Sequence, residues 1–112
     1  MRPETLKGHL DGVLLASLEA GPRHGYAIME ALRAGSSGRL DLPTGTIYPA
    51  LHRLERAGLV KATWSKAAGR RRRLYQLTAA GRRALEAERS SWREFSAAIT
   101  GLLKPAPRPR TS

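Results

Sequence analysis

The stretch Leu42–Tyr75, LPTGTIYPALHRLERAGLVKATWSKAAGRRRRLY, holds a helix signal, a stop and a hairpin signal in direct succession. Ile47, Leu51 and Leu54 recur at steps of four and three, one stripe of an α-helix. Thr46, Tyr48, Pro49, His52, Arg53 and Arg56 lie largely off that stripe. Thr44 and Thr46 are both acceptable N-caps, and a cap at Thr46 would keep Pro49 in the first turn, where its missing N–H is harmless. Gly58 is the stop. Leu59–Ser65 then alternates as a strand, with Val60, Ala62 and Trp64 on one face and Trp64 expected in the core of the hairpin. Arg73–Leu77 is its partner, and the segment from Lys66 to Arg72 between them is too charged to be anything but an exposed tip. A helix with a polar outer face followed by a basic hairpin is the layout of a winged helix.

Upstream, Leu6, Leu10, Val13, Leu14 and Leu18 predict a supporting helix that ends at Gly21-Pro22. A second helix is expected from about His24 to Arg33, with Ile28 and Leu32 as its core stripe. His24 and Tyr26 at its start read as packing and turn residues, a phosphate or ligand contact being the alternative. Gly35 to Gly38 forms a loop that Leu40 and Leu42 pin to the core. Downstream, Thr78 has the character of an N-cap for a long fourth helix ending before Pro105. On it Leu85, Trp92, Phe95, Ile99 and Leu102 fall at steps of seven, three, four and three, a heptad seam that Glu88 interrupts. The expected architecture is mainly α with a small β-hairpin. It comprises a winged helix-turn-helix over 1–78, a C-terminal dimerisation helix over 79–104 and a disordered, Pro- and Arg-rich tail over 105–112.

A chain of 112 residues is one domain or one domain with an added helix. It has no cysteine, which excludes disulfides and thiolate metal sites. No apolar run approaches the roughly 20 residues of a membrane span, and the N-terminal segment lacks a signal-peptide core, so a cytoplasmic protein is expected. The unusual quantity is charge. Twenty Lys and Arg against nine Asp and Glu give a formal +11. Arg53 to Arg83 contains ten of those bases and one acid, Glu55, so +9 of the +11 sits in less than a third of the chain. A solvated surface interleaves its signs; a concentrated block of this kind points to a polyanion.

The placement of the block favours double-stranded DNA. A helix with small polar residues at its N-terminal end suits a major groove, and an Arg-rich tip suits the adjacent minor groove or its phosphates. RNA-binding sheets display stacking aromatics, and six aromatics at mostly core-like positions leave few to spare. A membrane surface calls for a basic amphipathic helix, whereas the basic block here centres on a turn. His9, His24 and His52 fall on three separate segments, with no phosphate loop, zinc-protease helix or nucleophile elbow. No catalytic residue, cofactor or metal site is expected. A nonspecific architectural nucleic-acid binder is the competing reading, since charge alone would serve it.

The residues that carry these signals also resemble a known family. His24-Gly25-Tyr26, the run from Thr44 to Val60, Trp64, and the run from Gly69 to Gly81 are similar, in order, to the PadR family of bacterial transcriptional regulators. The resemblance covers roughly Leu10 to Leu103 and matches the compact subfamily with a single helix after the wing. It implies a two-fold homodimer on an inverted-repeat operator, most often a repressor, with small aromatic or lipophilic effectors where any are known. It also implies that Trp92 sits where some compact members stack a flat ligand at the dimer interface; an anchor of the dimer core is the other reading of Trp92.

The resulting expectations name Thr44, Thr46 and His52 for base edges or nearby phosphates, Tyr48 for a phosphate, and Arg53 for either. Arg70, Arg71 and Arg72 belong to the wing. Leu85, Trp92, Phe95, Ile99 and Leu102 form the dimer seam, with Trp92 as the candidate effector contact.

Overall fold

The computed structural model describes residues 6, 8–67 and 69–109. The chain runs α1 (Leu10–Ser17), β1 (Arg23–His24), α2 (Gly25–Gly35), α3 (Thr44–Arg56), β2 (Val60–Ala67), β3 (Arg70–Leu77) and α4 (Ala79–Leu103). The expected polar lead-in before Leu6 and the last residues of the tail lie outside the described residues. Residues 105–109 carry neither helix nor strand.

Three helices and the base of the hairpin close around one core. Leu14, Leu15 and Leu18 meet Ile28 of α2, Ile47, Leu51 and Leu54 of α3, and Val60 of β2, all essentially without solvent exposure. Leu40 is buried and Leu42 packs against the same cluster, so the loop after α2 is pinned as expected. The three-stranded sheet has the order β1-β3-β2, all antiparallel, and its short first strand joins the start of α2 to the wing. The mostly helical fold with a small sheet is the predicted class.

Local chemistry explains the element ends. α3 stops in a Schellman arrangement: Leu59 N–H donates to the Leu54 carbonyl and Gly58 N–H to the Glu55 carbonyl, with Gly58 at φ +76°. Thr78 caps α4 as predicted. Its Oγ1 accepts from Gly81 N–H at 3.0 Å and donates to the Gly58 carbonyl at 2.7 Å, which ties the start of α4 to the end of α3. Gly81 is buried, and a Cβ there would collide with the Leu59 backbone carbonyl.

Three expectations need correction. Neither Thr44 nor Thr46 caps α3. Pro43, extended at φ −76° and ψ 162°, is the N-cap, and its carbonyl accepts from the N–H groups of both Thr46 and Ile47. Thr44 is therefore the first helical residue, and Pro49 lies inside the helix, beyond its first turn. Second, the charged tip is short. β2 and β3 stay paired out to Ala67↔Arg70, so Arg70, Arg71 and Arg72 are strand residues. Only two positions separate the strands, one of them Gly69 at φ +75°. Third, Trp64 is not in the core. It is 57% exposed, because the helices cover only the base of the hairpin and the sheet runs past them.

Candidate nucleic-acid interface

α3 divides sharply. Ile47, Ala50, Leu51 and Leu54 are buried, while Thr44, Tyr48, His52 and Arg53 face solvent and Thr46 is half-buried. The helix thus presents its polar residues as one continuous outer surface. Arg53 is not free to project from it. Its guanidinium is ion-paired with Asp11 of α1, which draws the side chain back across the domain.

On the wing, strand alternation sorts the arginine run. Val60, Tyr75 and Leu77 point to the core, and Lys66, Trp64, Arg71 and Arg73 continue that face beyond it. Arg71 lies over the Trp64 ring, 4.7 Å from its centroid, and Arg73 over the same ring at 5.4 Å. Arg73 also donates to Glu55 at 2.7 Å, so its charge is compensated. Arg72 sits over Tyr26 at 5.0 Å, and Tyr26 is stacked on His24 with an interplanar angle of 6°. His24 Nδ1 lies 3.1 Å from the Arg73 carbonyl. A carbonyl can only accept, so Nδ1 carries the proton. Burial pushes the Tyr75 phenol above its ordinary value, with Arg73 opposing the shift.

These groups converge on an open cup between α2, α3 and the wing. Tyr48 is common to the cup and to the outer face of α3. Its phenol lies so close over Gly25 that a Cβ there would collide with it. The outer face of α3 and the arginine face are therefore adjacent. His24, Tyr26 and Trp64 belong to this neighbourhood, a role that sequence reasoning assigned to packing. The available signal was the company they keep: both rings that carry arginines, the histidine stacked on one of them and the glycine are within the motifs already singled out.

Charge compensation elsewhere sharpens the pattern. Asp11, Glu19, Glu30, Asp41, Glu55 and Glu86 are taken up by Arg53, Arg89, Arg33 and Arg73. Among the described residues Arg70, Arg71 and Arg72 have no acidic partner.

At the far side of the molecule, α4 leaves the core after its first turns. Leu85 is 3% exposed and belongs to the chain's own core, which leaves it almost no surface for the seam expected of it. Trp92 and Phe95 are 52% and 54% exposed, Leu102 is 79% exposed, and Ile99 is half-buried. The His9 ring meets Trp92 edge-on at 5.2 Å, and a cavity of about 340 Å³ opens between α1 and α4, lined by Leu6, Val13, Leu40, Leu85 and Trp92 beside Glu88. Among the described residues no cluster could hold a metal ion, and no helix is long and apolar enough to cross a membrane.

A half-buried helix with a polar outer face, braced by two others and flanked by a basic two-stranded wing, defines a winged helix-turn-helix transcriptional regulator. The chain belongs to the transcriptional regulator PadR-like family, whose model matches residues 14–87. A transcriptional regulator from Clostridium thermocellum has the same fold, with a TM-score of 0.83 at 25% identity over 90% of this chain and 99% of that one. A PadR family transcription regulator from Clostridium difficile gives 0.76 at 31% identity over 86% and 99%. In sequence, a transcriptional regulator of Mycobacterium tuberculosis is 37% identical over 79 residues, 70% of this chain and 61% of the mycobacterial one. The protein is accordingly a DNA-binding regulator of transcription, from a family of regulators and not of enzymes.

Proposed function

We propose that the chain is a sequence-specific, dimeric, cytoplasmic repressor that binds an inverted-repeat operator in double-stranded DNA. The observation that carries this reading is the adjacency of the polar face of α3 to a wing on which Arg70, Arg71 and Arg72 have no acidic partner among the described residues. In it, the N-terminal half of α3 enters the major groove. Thr44, Thr46 and His52 meet base edges or the phosphates beside them, and Tyr48 donates its hydroxyl to a phosphate. Arg70, Arg71 and Arg72 lie along the flanking minor groove and its backbone. Arg53 reaches DNA only by leaving Asp11, so its first role is to hold α3 against α1.

Trp92, Phe95, Ile99 and Leu102 supply the dimer contact. A stripe of large apolar side chains left in solvent on one helix marks an interaction surface, and two-fold pairing through it would place the two α3 helices about one DNA turn, roughly 34 Å, apart. The division at residue 78 separates reading from pairing and not two cores, because Gly81 and Leu85 root α4 in the winged-helix core. The apolar cavity beside Trp92 is of the size that holds small ligands, which supports an aromatic or lipophilic effector that acts by changing the spacing of the two reading heads. Selection of bound fragments from genomic DNA tests the proposal. An enriched inverted repeat is expected; recovery of fragments with no common motif would leave a nonspecific architectural binder.

A further inference from the structure

Tyr26, Trp64 and His24 make contacts that neither the core nor the reading helix requires. Each is half or more exposed to solvent or only partly buried, yet each is organised around an arginine or its backbone. We propose that the cup between the start of α2 and the wing is a preformed seat for one DNA backbone phosphate, with Arg71 and Arg72 as its cationic sides. Trp64 and Tyr26 are the residues that hold those two side chains in place. The inference rests on the DNA-binding reading above and assigns a site within it.

The charge of the cup fits an anion. Arg73 is compensated by Glu55, whereas among the described residues Arg71 and Arg72 have no acidic partner and no carboxylate lines the cup. Arg71 and Arg72 both line the volume that a phosphate, with one negative charge, would occupy. Preorganisation is the second argument. An arginine recruited from solution loses much rotamer freedom when it grips a phosphate, and one already stacked on a ring loses less. Arg71 on Trp64 and Arg72 on Tyr26 are in that state before any ligand arrives. Tyr26 is itself stacked on His24, and His24 is tied to the Arg73 carbonyl, so the support runs without a break from α2 into β3.

The remaining donor is Tyr48. Because Gly25 has no side chain, the Tyr48 phenol rests against the α2 backbone and brings its hydroxyl to the edge of the cup from α3. A phosphate seated there would meet groups from three segments while α3 lies in the neighbouring groove. A stacked base is a poorer occupant. The Trp64 and Tyr26 rings already carry guanidiniums, so they offer no bare pair of faces of the kind single-stranded binders use.

The test compares binding of a random-sequence DNA duplex across a salt series, since a phosphate contact is independent of sequence. Arg71→Ala and Arg72→Ala together should lower the slope of log affinity against log salt by about 0.9, the loss of one neutralised phosphate, and Arg72→Ala alone should lower it by part of that. Trp64→Ala and Tyr26→Ala should weaken binding several-fold and lower the slope in the same direction, while Trp64→Phe and Tyr26→Phe, which keep a ring under the guanidinium, should return toward wild type. Tyr48→Phe should weaken binding with the slope unchanged, because it removes a neutral donor. Circular dichroism melts establish that each variant is folded. The inference is overturned if Arg72→Ala, Trp64→Ala and Tyr26→Ala all keep wild-type affinity and slope while Arg70→Ala loses affinity; the DNA-binding reading then still stands. A wild-type protein that ignores the duplex altogether overturns both. Should Trp64→Ala fail to fold, Arg71→Ala and Arg72→Ala decide the question, their side chains being outside the core.

Discussion

Replacing Arg70 and Arg71 together by Ala isolates the wing's electrostatic role from its structural one. Both side chains are exposed, and neither has an acidic partner among the described residues. Their loss should leave stability within about 0.5 kcal/mol of wild type, as for most surface substitutions. DNA affinity should respond strongly. With Arg70 neutralising one phosphate and Arg71 sharing another with Arg72, removing the pair should lower the salt slope by about 0.9–1.8. Over a fourfold rise in salt, a slope difference of that size makes wild type lose roughly threefold to tenfold more affinity than the variant. Arg73→Ala is the internal control. Arg73 is engaged by Glu55 at 2.7 Å, so its removal should shift the slope by less while costing about 0–1 kcal/mol of ion-pair stability. The assay is fluorescence anisotropy of a labelled duplex at stepped salt concentrations, with thermal melts alongside. A folded double variant with the wild-type slope would refute the placement of these arginines against the DNA backbone.

Other expectations follow from single contacts. Gly81→Ala should destabilise the protein by about 1–3 kcal/mol despite the better helix propensity of Ala, because the new Cβ meets the Leu59 carbonyl; Gly101→Ala, with open space around it, should stabilise by up to about 1 kcal/mol, and melting temperatures would show the opposite signs. Changing Trp92 and Ile99 to Ser should shift the protein toward monomer in sedimentation, and an intact dimer would place the interface elsewhere. Hydrogen bonds from Arg89 hold the Glu19 carboxyl below its ordinary value of 4.5. A depressed folded-state pKa means that this contribution to stability is present above about 4.5 and lost as pH falls through the folded value. Arg89→Ala should therefore lower the melting temperature at neutral pH and converge with wild type in acid.

Much of this molecule was legible in order along the chain. The three-and-four spacing of Ile47, Leu51 and Leu54, the Gly58 stop and the Thr78 cap are consequences of local geometry, and each stands where its residue type predicted. The density of arginine between Arg53 and Arg83 is likewise a property of composition, and it pointed to DNA before any coordinates. Those signals are local, so one dimension suffices to carry them.

What the sequence could not decide was where the core ends. Strand alternation correctly put Trp64 on the face of Val60 and Ala62, but whether that face is buried depends on how far the helices reach along the hairpin, and they stop short of it. The same limit hid the length of the strands: arginines in a paired strand beyond the core carry no hydrophobic period, so Arg70 to Arg72 read as loop. Arg53 looked free because its partner Asp11 lies 42 residues away. Leu85 matched the heptad pattern, yet it is buried in the core of its own chain. Pro43, and not a threonine, begins α3 because capping follows from backbone dihedrals and not from side-chain type alone. Pairings between distant segments are set by the three-dimensional approach of elements, and here they turned a run of like charges and scattered aromatics into one ordered surface.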